Sequence, residues 1–219
     1  MTTTASCRRE STVGSFRLTE RRPDAGEHAV ALSWGSYAAF VGKIFDGIDD
    51  ALASWVSAQP MWFVATAPMA ADGHVNVSPR GHDSFSVLGR YRVGWVDYSG
   101  SGVETIAHLR ENGRVCLMFA SFDHRPRIVR LHGRGVVCLP GEPDFEEVTV
   151  RHPAHPSTRA VVAVDVERVS DSCGYGVPVM DLVGERDLLR LGAQKRGPEG
   201  LDAYRADKNA ISIDGLPGL

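Results

Sequence analysis

The strongest constraint on the fold of this chain is a succession of apolar, β-branched runs separated by short turns. Six or seven strands are expected, and the clearest cover residues 61–67, 74–80, 93–98, 114–122, 127–139 and 160–169. Most of these runs follow one another too closely for a helix to lie between each pair. The pattern therefore favours a mostly β fold, an antiparallel barrel with flanking helices, over an alternating α/β sheet.

The segments outside these runs divide into an N-terminal extension and several helices. Residues 1–35 lack periodicity and are expected to form a flexible extension, which leaves residues 36–219 as one domain with a C-terminal helical arm. Apolar side chains at helical spacing predict helices over residues 43–58 and 103–111, and further helical segments are expected over residues 144–148, 185–195 and 198–208.

Composition excludes several classes of partner. The net charge of −3 does not indicate a surface for nucleic acid or anionic membrane. The chain has no apolar run near the roughly 20 residues of a membrane helix and no apolar core of a secretory signal. Its four cysteines are widely spaced, so we expect reduced thiols in a cytoplasmic protein.

One stretch combines a strand, a flexible loop and the start of a helix. The strand ends at Tyr98, the loop Ser99-Gly100-Ser101-Gly102 follows, and Thr105 lies in the first turn of the helix. Glycines let backbone amides converge, hydroxyls can donate, and a helix N-terminus attracts negative charge. The stretch therefore predicts an anion site, and the alternative is an ordinary strand-to-helix turn.

A hairpin supplies a second set of polar groups. Ala71-Asp72-Gly73 predicts the turn, and alternation places Asn76, Ser78 and Arg80 on one face of the second strand and valines on the other. Pro79 requires a strand end or a sheet edge. An anionic ligand would account for Arg80 together with the strand arginines Arg127 and Arg130, whereas a surface of salt bridges is the alternative.

Standard catalytic and metal-binding signatures are absent from the sequence. It contains no Gly-x-Ser-x-Gly elbow, no Walker loop and no His-Glu-x-x-His motif. His152 and His155 lie three apart in a loop interrupted by proline, without a nearby third ligand, so no metal site is predicted. The loop after Tyr98 lacks the third glycine of a dinucleotide fingerprint.

Several blocks in order resemble the pyridoxamine 5′-phosphate oxidase-like, FMN-binding split-barrel family. They are residues 63–68, the hairpin 72–81, the loop and helix 100–109, the strand 127–133, and the Ser-Cys-Gly-Tyr-Gly-Val-Pro segment 172–178 that marks one subgroup. The resemblance covers roughly residues 43–215.

The resemblance implies a six-stranded antiparallel Greek-key split barrel and a homodimer with FMN at its interface. It places the phosphate at Arg80 and the loop 99–105, and it assigns the C-terminal segment to closing the pocket. The cofactor-binding positions expected from the residue pattern, from the resemblance or from both are Asn76, Val77, Ser78, Pro79, Arg80, Tyr98, Ser99, Gly100, Ser101, Gly102, Thr105, Arg130 and Tyr175.

The C-terminus departs from that of the true pyridoxamine phosphate oxidases. Residues 204–219 contain no Trp and no His, and Arg205 is their only arginine. The expected function is therefore an FMN-dependent oxidoreductase that acts on another small molecule, with a nicotinamide, a deazaflavin or oxygen as electron partner. The alternatives are a non-catalytic flavin- or haem-binding module and a barrel without cofactor. His82, Asp97 or Tyr98 could serve as acid or base, and the sequence does not choose among them.

Overall fold

The computed structural model describes residues 42–219, so the extension expected over residues 1–35 lies outside the described range. Eight strands and four helices occupy residues 42–219. In chain order they are β1 (Ile44–Phe45), α1 (Asp50–Ser57), β2 (Trp62–Thr66), β3 (Asn76–Arg80), β4 (Phe85–Gly89), β5 (Arg92–Tyr98), α2 (Glu104–Asn112), β6 (Arg114–Ala120), β7 (Ile128–Cys138), α3 (Pro143–Thr149), β8 (Thr158–Ser172) and α4 (Leu188–Lys208).

All of these strands pair antiparallel, in the order β3-β2-β6-β7-β8-β5-β4, and β1 pairs with β8. The sheet curls on itself, because Trp62 of β2 packs 5.3 Å from Phe85 of β4 and 5.5 Å from Trp95 of β5, measured between ring centroids. Strands from opposite ends of the order thus share one apolar core. The predicted antiparallel barrel with flanking helices is confirmed, with eight strands rather than six.

Two sequence predictions in the first half of the chain are wrong. The helix expected over residues 43–58 begins only at Asp50, because Gly47 has a left-handed φ of 83° and the Asp49 side chain accepts a hydrogen bond from the Leu52 amide as N-cap. Ile44 and Phe45 form β1 instead. The prediction from alternating apolar and polar side chains also missed β4. In this strand the polar Ser86 takes a buried position, and its hydroxyl forms a hydrogen bond with His152 Nε2 at 2.7 Å.

Gly133 and Gly135 predict a bend or bulge within the strand over residues 127–139, and this strand contains a β-bulge. The pairing of β7 with β8 shifts between His132 and Gly133. A Cβ at Gly133 would lie 2.0 Å from the Asp165 carbonyl oxygen, so only glycine fits at this crossing.

The hairpin β2–β3 forms as predicted, and β3 is an edge strand, which fits Pro79. Its polar face turns inward, where Asn76, Ser78 and Arg80 are half-buried. Its apolar face turns outward, with Val75 and Val77 exposed by 72% and 61%.

The two helices predicted near the C-terminus are joined in α4 across a kink at Gly197, whose φ is 65°. None of the helices formed by residues 42–219 combines the length and the apolarity needed to cross a membrane.

We expect Gly133→Ala to destabilise the domain by about 1–3 kcal/mol, because the new methyl group meets backbone that cannot rotate away. Chemical denaturation measures the change. Gly89→Ala is the matched control, since a Cβ there meets open space, and its effect should stay within about 0.5 kcal/mol. Equal stability of the two variants would contradict the crowding at the bulge.

Candidate functional site

A cavity of about 250 Å³, here called the anion cavity, opens where β3 and β5 end and α2 begins. Seven positions predicted from the sequence line it. These are Ser78, Pro79, Arg80, Tyr98, Gly100, Gly102 and Thr105. Two further wall residues, Glu104 and Arg159, were not among the predicted site residues. The structure thus joins the hairpin and the loop into one site.

The anion cavity is built around the carboxylate of Asp97, which has no exposed surface. Arg80 Nη1 lies 2.7 Å from Asp97 Oδ1, and Arg159 Nε lies 2.6 Å from Asp97 Oδ2. Arg159 Nη1 also donates to the Gly102 carbonyl oxygen at 3.0 Å. Two guanidinium groups are therefore fixed at the cavity by one carboxylate. The rule that a buried strand arginine needs a partner could have identified Arg159 from the sequence.

The Thr105 hydroxyl is oriented by two donors. Asn76 Nδ2 donates to Thr105 Oγ1 at 3.0 Å and Arg80 Nη2 does so at 3.4 Å. The hydroxyl proton of Thr105 is then left to donate into the cavity. Asn76 does not line the cavity, and its role is to orient Thr105 and to accept from Ser78 at 3.0 Å.

The start of α2 adds backbone donors. The N-cap residue Val103 offers no side-chain hydrogen bond to the first-turn amides of this nine-residue helix. Unsatisfied amides and the positive end of the helix dipole favour negative charge. The carboxylate of Glu104 places a negative charge at the same helix start and so disfavours a bound anion. Its Oε1 accepts a hydrogen bond from the Ile213 amide at 3.3 Å.

The loop 99–102 is held in place by the C-terminal residues. Arg205 Nε donates to Ser99 Oγ at 2.9 Å, and Asn209 Nδ2 donates to the Gly100 carbonyl oxygen at 3.0 Å. Ser99 therefore faces α4, and Ser101 is exposed. Neither serine lines the anion cavity, in contrast to the two glycines of the loop.

Three other predicted positions lie apart from the anion cavity in this chain. Val77 points outward from β3. Arg130 of β7 donates from Nη1 to Ser172 Oγ at 2.9 Å, and Tyr175 is exposed in the segment that follows β8. Arg127 forms an ion pair with Asp171 at 3.2 Å, so the salt-bridge alternative applies to it.

Two further cavities adjoin the first. One of about 330 Å³, the apolar cavity, shares Pro79 and Arg80 with the anion cavity. The other, the histidine cavity, has about 240 Å³ and shares Tyr98 with the anion cavity. Apolar side chains on the wall of the apolar cavity are Pro60, Met61, Phe122, Met180 and Leu182. The three cavities together provide charged, apolar and titratable surfaces side by side.

The structure narrows the candidates for an acid or base. Asp97 is fully buried and both of its oxygens lie in ion pairs, so it is not available to a substrate. His82 lines the apolar and histidine cavities, and Tyr98 lines the anion and histidine cavities. Burial raises the pKa of Tyr98, so its hydroxyl keeps its proton at neutral pH.

The fold and this site together define a class, an antiparallel β barrel with a cavity at a strand–loop–helix junction. The family model for pyridoxamine 5′-phosphate oxidase matches residues 48–173. The pyridoxamine 5′-phosphate oxidase family protein ustO of Aspergillus flavus is 40% identical over 194 residues, which cover 80% of this chain and 77% of ustO. The chain therefore belongs to the pyridoxamine 5′-phosphate oxidase family.

Solved structures of similar fold share little sequence with this chain. HupZ of Group A Streptococcus is 19% identical with a TM-score of 0.44, and the match covers 56% of this chain and 91% of HupZ. An FMN-binding protein of Syntrophomonas wolfei is 12% identical with a TM-score of 0.42, over 54% of this chain and 80% of that one. A FAD-binding protein of Mesorhizobium loti is 16% identical with a TM-score of 0.42, and the match covers 59% of this chain and 96% of that protein.

The C-terminal tail also bonds the residues that precede β3. Asp214 Oδ1 lies 2.6 Å from His74 Nδ1, and Asp214 Oδ2 accepts from the His74 amide at 2.8 Å. The hydrogen bond from Asp214 raises the pKa of His74, and the bond from His74 lowers the pKa of Asp214. The tail contact is thus strongest when His74 is protonated and Asp214 is ionised.

We expect this contact to weaken at both ends of the pH range. The stabilisation from His74 is complete below its unfolded pKa and is lost as pH rises through its raised folded pKa. The stabilisation from Asp214 is present above its unfolded pKa and is lost as pH falls through its lowered folded pKa. NMR titration of His74 should show the raised pKa in the native protein and an ordinary value in Asp214→Asn. The same pKa in both proteins would contradict the pairing.

Proposed function

We propose that this protein binds FMN and uses it as an oxidoreductase on a small molecule other than pyridoxamine 5′-phosphate. The observation that carries the proposal is the convergence of Arg80 and Thr105 on a cavity that continues, through Pro79 and Arg80, into an apolar one. A flavin mononucleotide presents the same sequence of surfaces, from an anionic phosphate to an apolar planar ring.

The donor set of the anion cavity fits a phosphate. The Arg80 guanidinium, the Thr105 hydroxyl and the first amides of α2 would hold the phosphate oxygens by charge-assisted hydrogen bonds. Arg80 Nε has no hydrogen-bond partner among residues 42–219, which leaves one buried donor to be satisfied. Because the carboxylate of Glu104 repels an anion, the phosphate is assigned to the Arg80 and Thr105 side of the cavity.

The walls of the apolar cavity fit a planar ring. Pro79, Met61 and Phe122 present apolar surface there, and a cavity of about 330 Å³ is at the lower end of the size usual for ligand sites. The flavin supplies the two-electron chemistry when bound. The chain's own residues bind and orient it, exclude water from the apolar side, and offer the titratable groups of His82 and Tyr98 at the adjoining wall.

We expect the purified protein to show a flavin absorption spectrum, either directly or after addition of FMN. Arg80→Ala should weaken FMN binding by about 1.5–3 kcal/mol, because it removes a charge-assisted contact. Fluorescence titration of FMN measures the affinity. Arg134→Ala is the matched control, since Arg134 is exposed on β7 and pairs with Glu167, and it should leave the affinity unchanged. Because Arg80→Ala also removes a partner of the buried Asp97, folding of the variant is checked by circular dichroism, and unchanged affinity in the folded variant would contradict the phosphate assignment.

A substitution that is expected to strengthen FMN binding tests the same placement of the phosphate. Glu104→Gln keeps the oxygen that accepts from Ile213 and removes the negative charge, so FMN should bind more tightly. Absence of flavin in all proteins, even after its addition, would exclude the FMN site itself.

Reduction of the bound flavin distinguishes an enzyme from a protein that only carries or stores flavin. Bleaching of the flavin spectrum by NADPH without oxygen supports a reductase, and a flavin that resists this donor directs the search to a deazaflavin donor. A flavin that no donor reduces favours the non-catalytic module.

The proposed assembly is a homodimer with FMN at its interface. The outward face of β3, β2 and β6 is apolar along two rows of residues that are paired across the three strands. These are Val77–Ala65–Cys116 and Pro79–Phe63–Met118. Single chains rarely expose a contiguous apolar face beside an open strand edge, so a second copy is the expected cover. Tyr175 and Arg130, which lie apart from the anion cavity in this chain, would then reach the site of the partner.

We expect Val77→Lys to convert a dimer into monomers, because a twofold contact would bury two unpaired ammonium groups. Light scattering coupled to gel filtration gives the mass. Val150→Lys is the control, since Val150 is 76% exposed at the end of α3. A wild-type monomer, or a dimer that survives Val77→Lys, would contradict this interface.

A further inference from the structure

Three titratable rings from three separate segments meet at the histidine cavity. The centroids of Tyr98 and His155 are 4.5 Å apart, and His82 lies 6.2 Å from Tyr98 and 6.3 Å from His155. All three line the cavity of about 240 Å³. His82 has a left-handed φ of 58°, which is unusual for a residue other than glycine. The proposed phosphate and ring positions make no use of His155.

The hydrogen bonds of His155 fix which of its nitrogens carries the proton. The Ser157 amide lies 3.2 Å from His155 Nδ1, and because an amide can only donate, Nδ1 is the acceptor. Burial lowers the pKa of His155, and Arg190 and His82 act in the same direction. His155 is therefore neutral at neutral pH, and its Nε2–H is a donor. On His82, Nδ1 lies 3.3 Å from Glu185 Oε2.

The charged residues around the histidine cavity differ in whether they have a partner. Of the acidic wall residues, Asp83 lies 3.2 Å from His152 Nδ1 and Glu185 is the partner of His82, while Asp187 stands at the N-cap of α4 without a capping hydrogen bond from its side chain. The guanidinium groups of Arg186 and Arg190 have no ion-pair partner within residues 42–219. Burial and then Asp83 raise the pKa of Tyr98, and Arg190 opposes them, whereas burial and then Arg190 lower the pKa of His155. Arg190 therefore lies beside both rings, and its guanidinium is available to a ligand.

The cavity has room for one ring. An engineered cavity of about 150 Å³ holds a benzene molecule, so 240 Å³ accepts a single substituted ring. The Tyr98 and His155 rings supply aromatic surface, and His155 Nε2–H and Arg190 supply donors. We infer that the histidine cavity is a substrate subsite for a single-ring aromatic compound that carries an ionisable oxygen, such as a phenol.

The inference deepens the proposed function, on which it rests, by naming the substrate class of the same site. The histidine cavity shares His82, Glu185 and Arg186 with the apolar cavity assigned to the flavin ring. A ring bound in one cavity is therefore adjacent to a ring bound in the other. His155, with Tyr98, acts here as a binding and orienting group.

Calorimetric titration with 4-nitrophenol tests the subsite without turnover. In mildly alkaline buffer this probe is ionised, and nitrobenzene has nearly the same shape without the ionisable oxygen. We expect the phenolate to bind about tenfold or more tightly than nitrobenzene, as a charge-assisted hydrogen bond predicts. Equal affinities would overturn the inference, because the cavity would then recognise apolar surface alone. The titration is run on the protein as purified and again after saturation with FMN.

Two variants locate the binding. His155→Phe keeps the aromatic ring and removes the donor, and Arg190→Gln removes the charge, so each should weaken phenolate binding about tenfold and leave nitrobenzene unchanged. His124→Phe and Arg196→Gln are the matched controls, since His124 is exposed in the β6–β7 turn and Arg196 lies farther along α4 over Tyr204. Because His155→Phe leaves the Ser157 amide without its acceptor, Arg190→Gln provides the independent test if His155→Phe fails to fold.

The outcomes separate this inference from the proposed function. Loss of phenolate binding in both site variants, with flavin binding intact, supports the subsite. Phenolate binding that is equal in site and control variants overturns it. FMN binding without any phenolate binding overturns the inference and leaves the flavin proposal standing. Phenolate binding by a protein that cannot hold FMN overturns the role as a flavin substrate site.

Discussion

The buried carboxylate of Asp97 is the interaction on which the rest of this site depends. A charge without exposed surface is tolerated only when it is paired, and Asp97 is paired twice, with Arg80 of β3 and Arg159 of β8. Removing one member of such a buried set typically costs about 3–5 kcal/mol, because the partners stay buried without compensation. The pairing therefore fixes three strands relative to one another, and it holds both guanidinium groups at the wall of the anion cavity.

The same end of the barrel is closed by groups that are remote in sequence. Arg159 holds the Gly102 carbonyl oxygen, Arg205 holds Ser99, and Asn209 holds the Gly100 carbonyl oxygen. With its carbonyl oxygens and one hydroxyl occupied, the loop presents its glycine backbone and the start of α2 to the cavity. The apolar cavity adjoins this site at Arg80, and the histidine cavity adjoins it at Tyr98. Charged, apolar and titratable surfaces therefore lie next to one another. This arrangement gives the proposed flavin and substrate positions a common physical basis.

Sequence reasoning succeeded where a pattern is local and failed where a distant contact decides. The hairpin and the bulge near Gly133 follow from turn chemistry and glycine, and both are present. The start of α1 was misplaced because Asp49 and Gly47 override the apolar spacing. Strand β4 was missed because Ser86 is buried through a bond to His152, 66 residues later in the chain. Arg159 shows the same limit, since its partner Asp97 is 62 residues away.

The sequence by itself determined the barrel class, the position of Pro79 at a strand end or sheet edge, and the strand–loop–helix after Tyr98, because each depends on side-chain alternation or on the conformational limits of proline and glycine. Only the tertiary structure decided which polar groups face the cavity. Ser99 turns to Arg205, Asp97 is enclosed by two arginines, and His155 joins Tyr98 and His82. The physical reason is that a polar side chain is positioned by its hydrogen-bond partner, and in a barrel that partner comes from a strand or loop far along the chain.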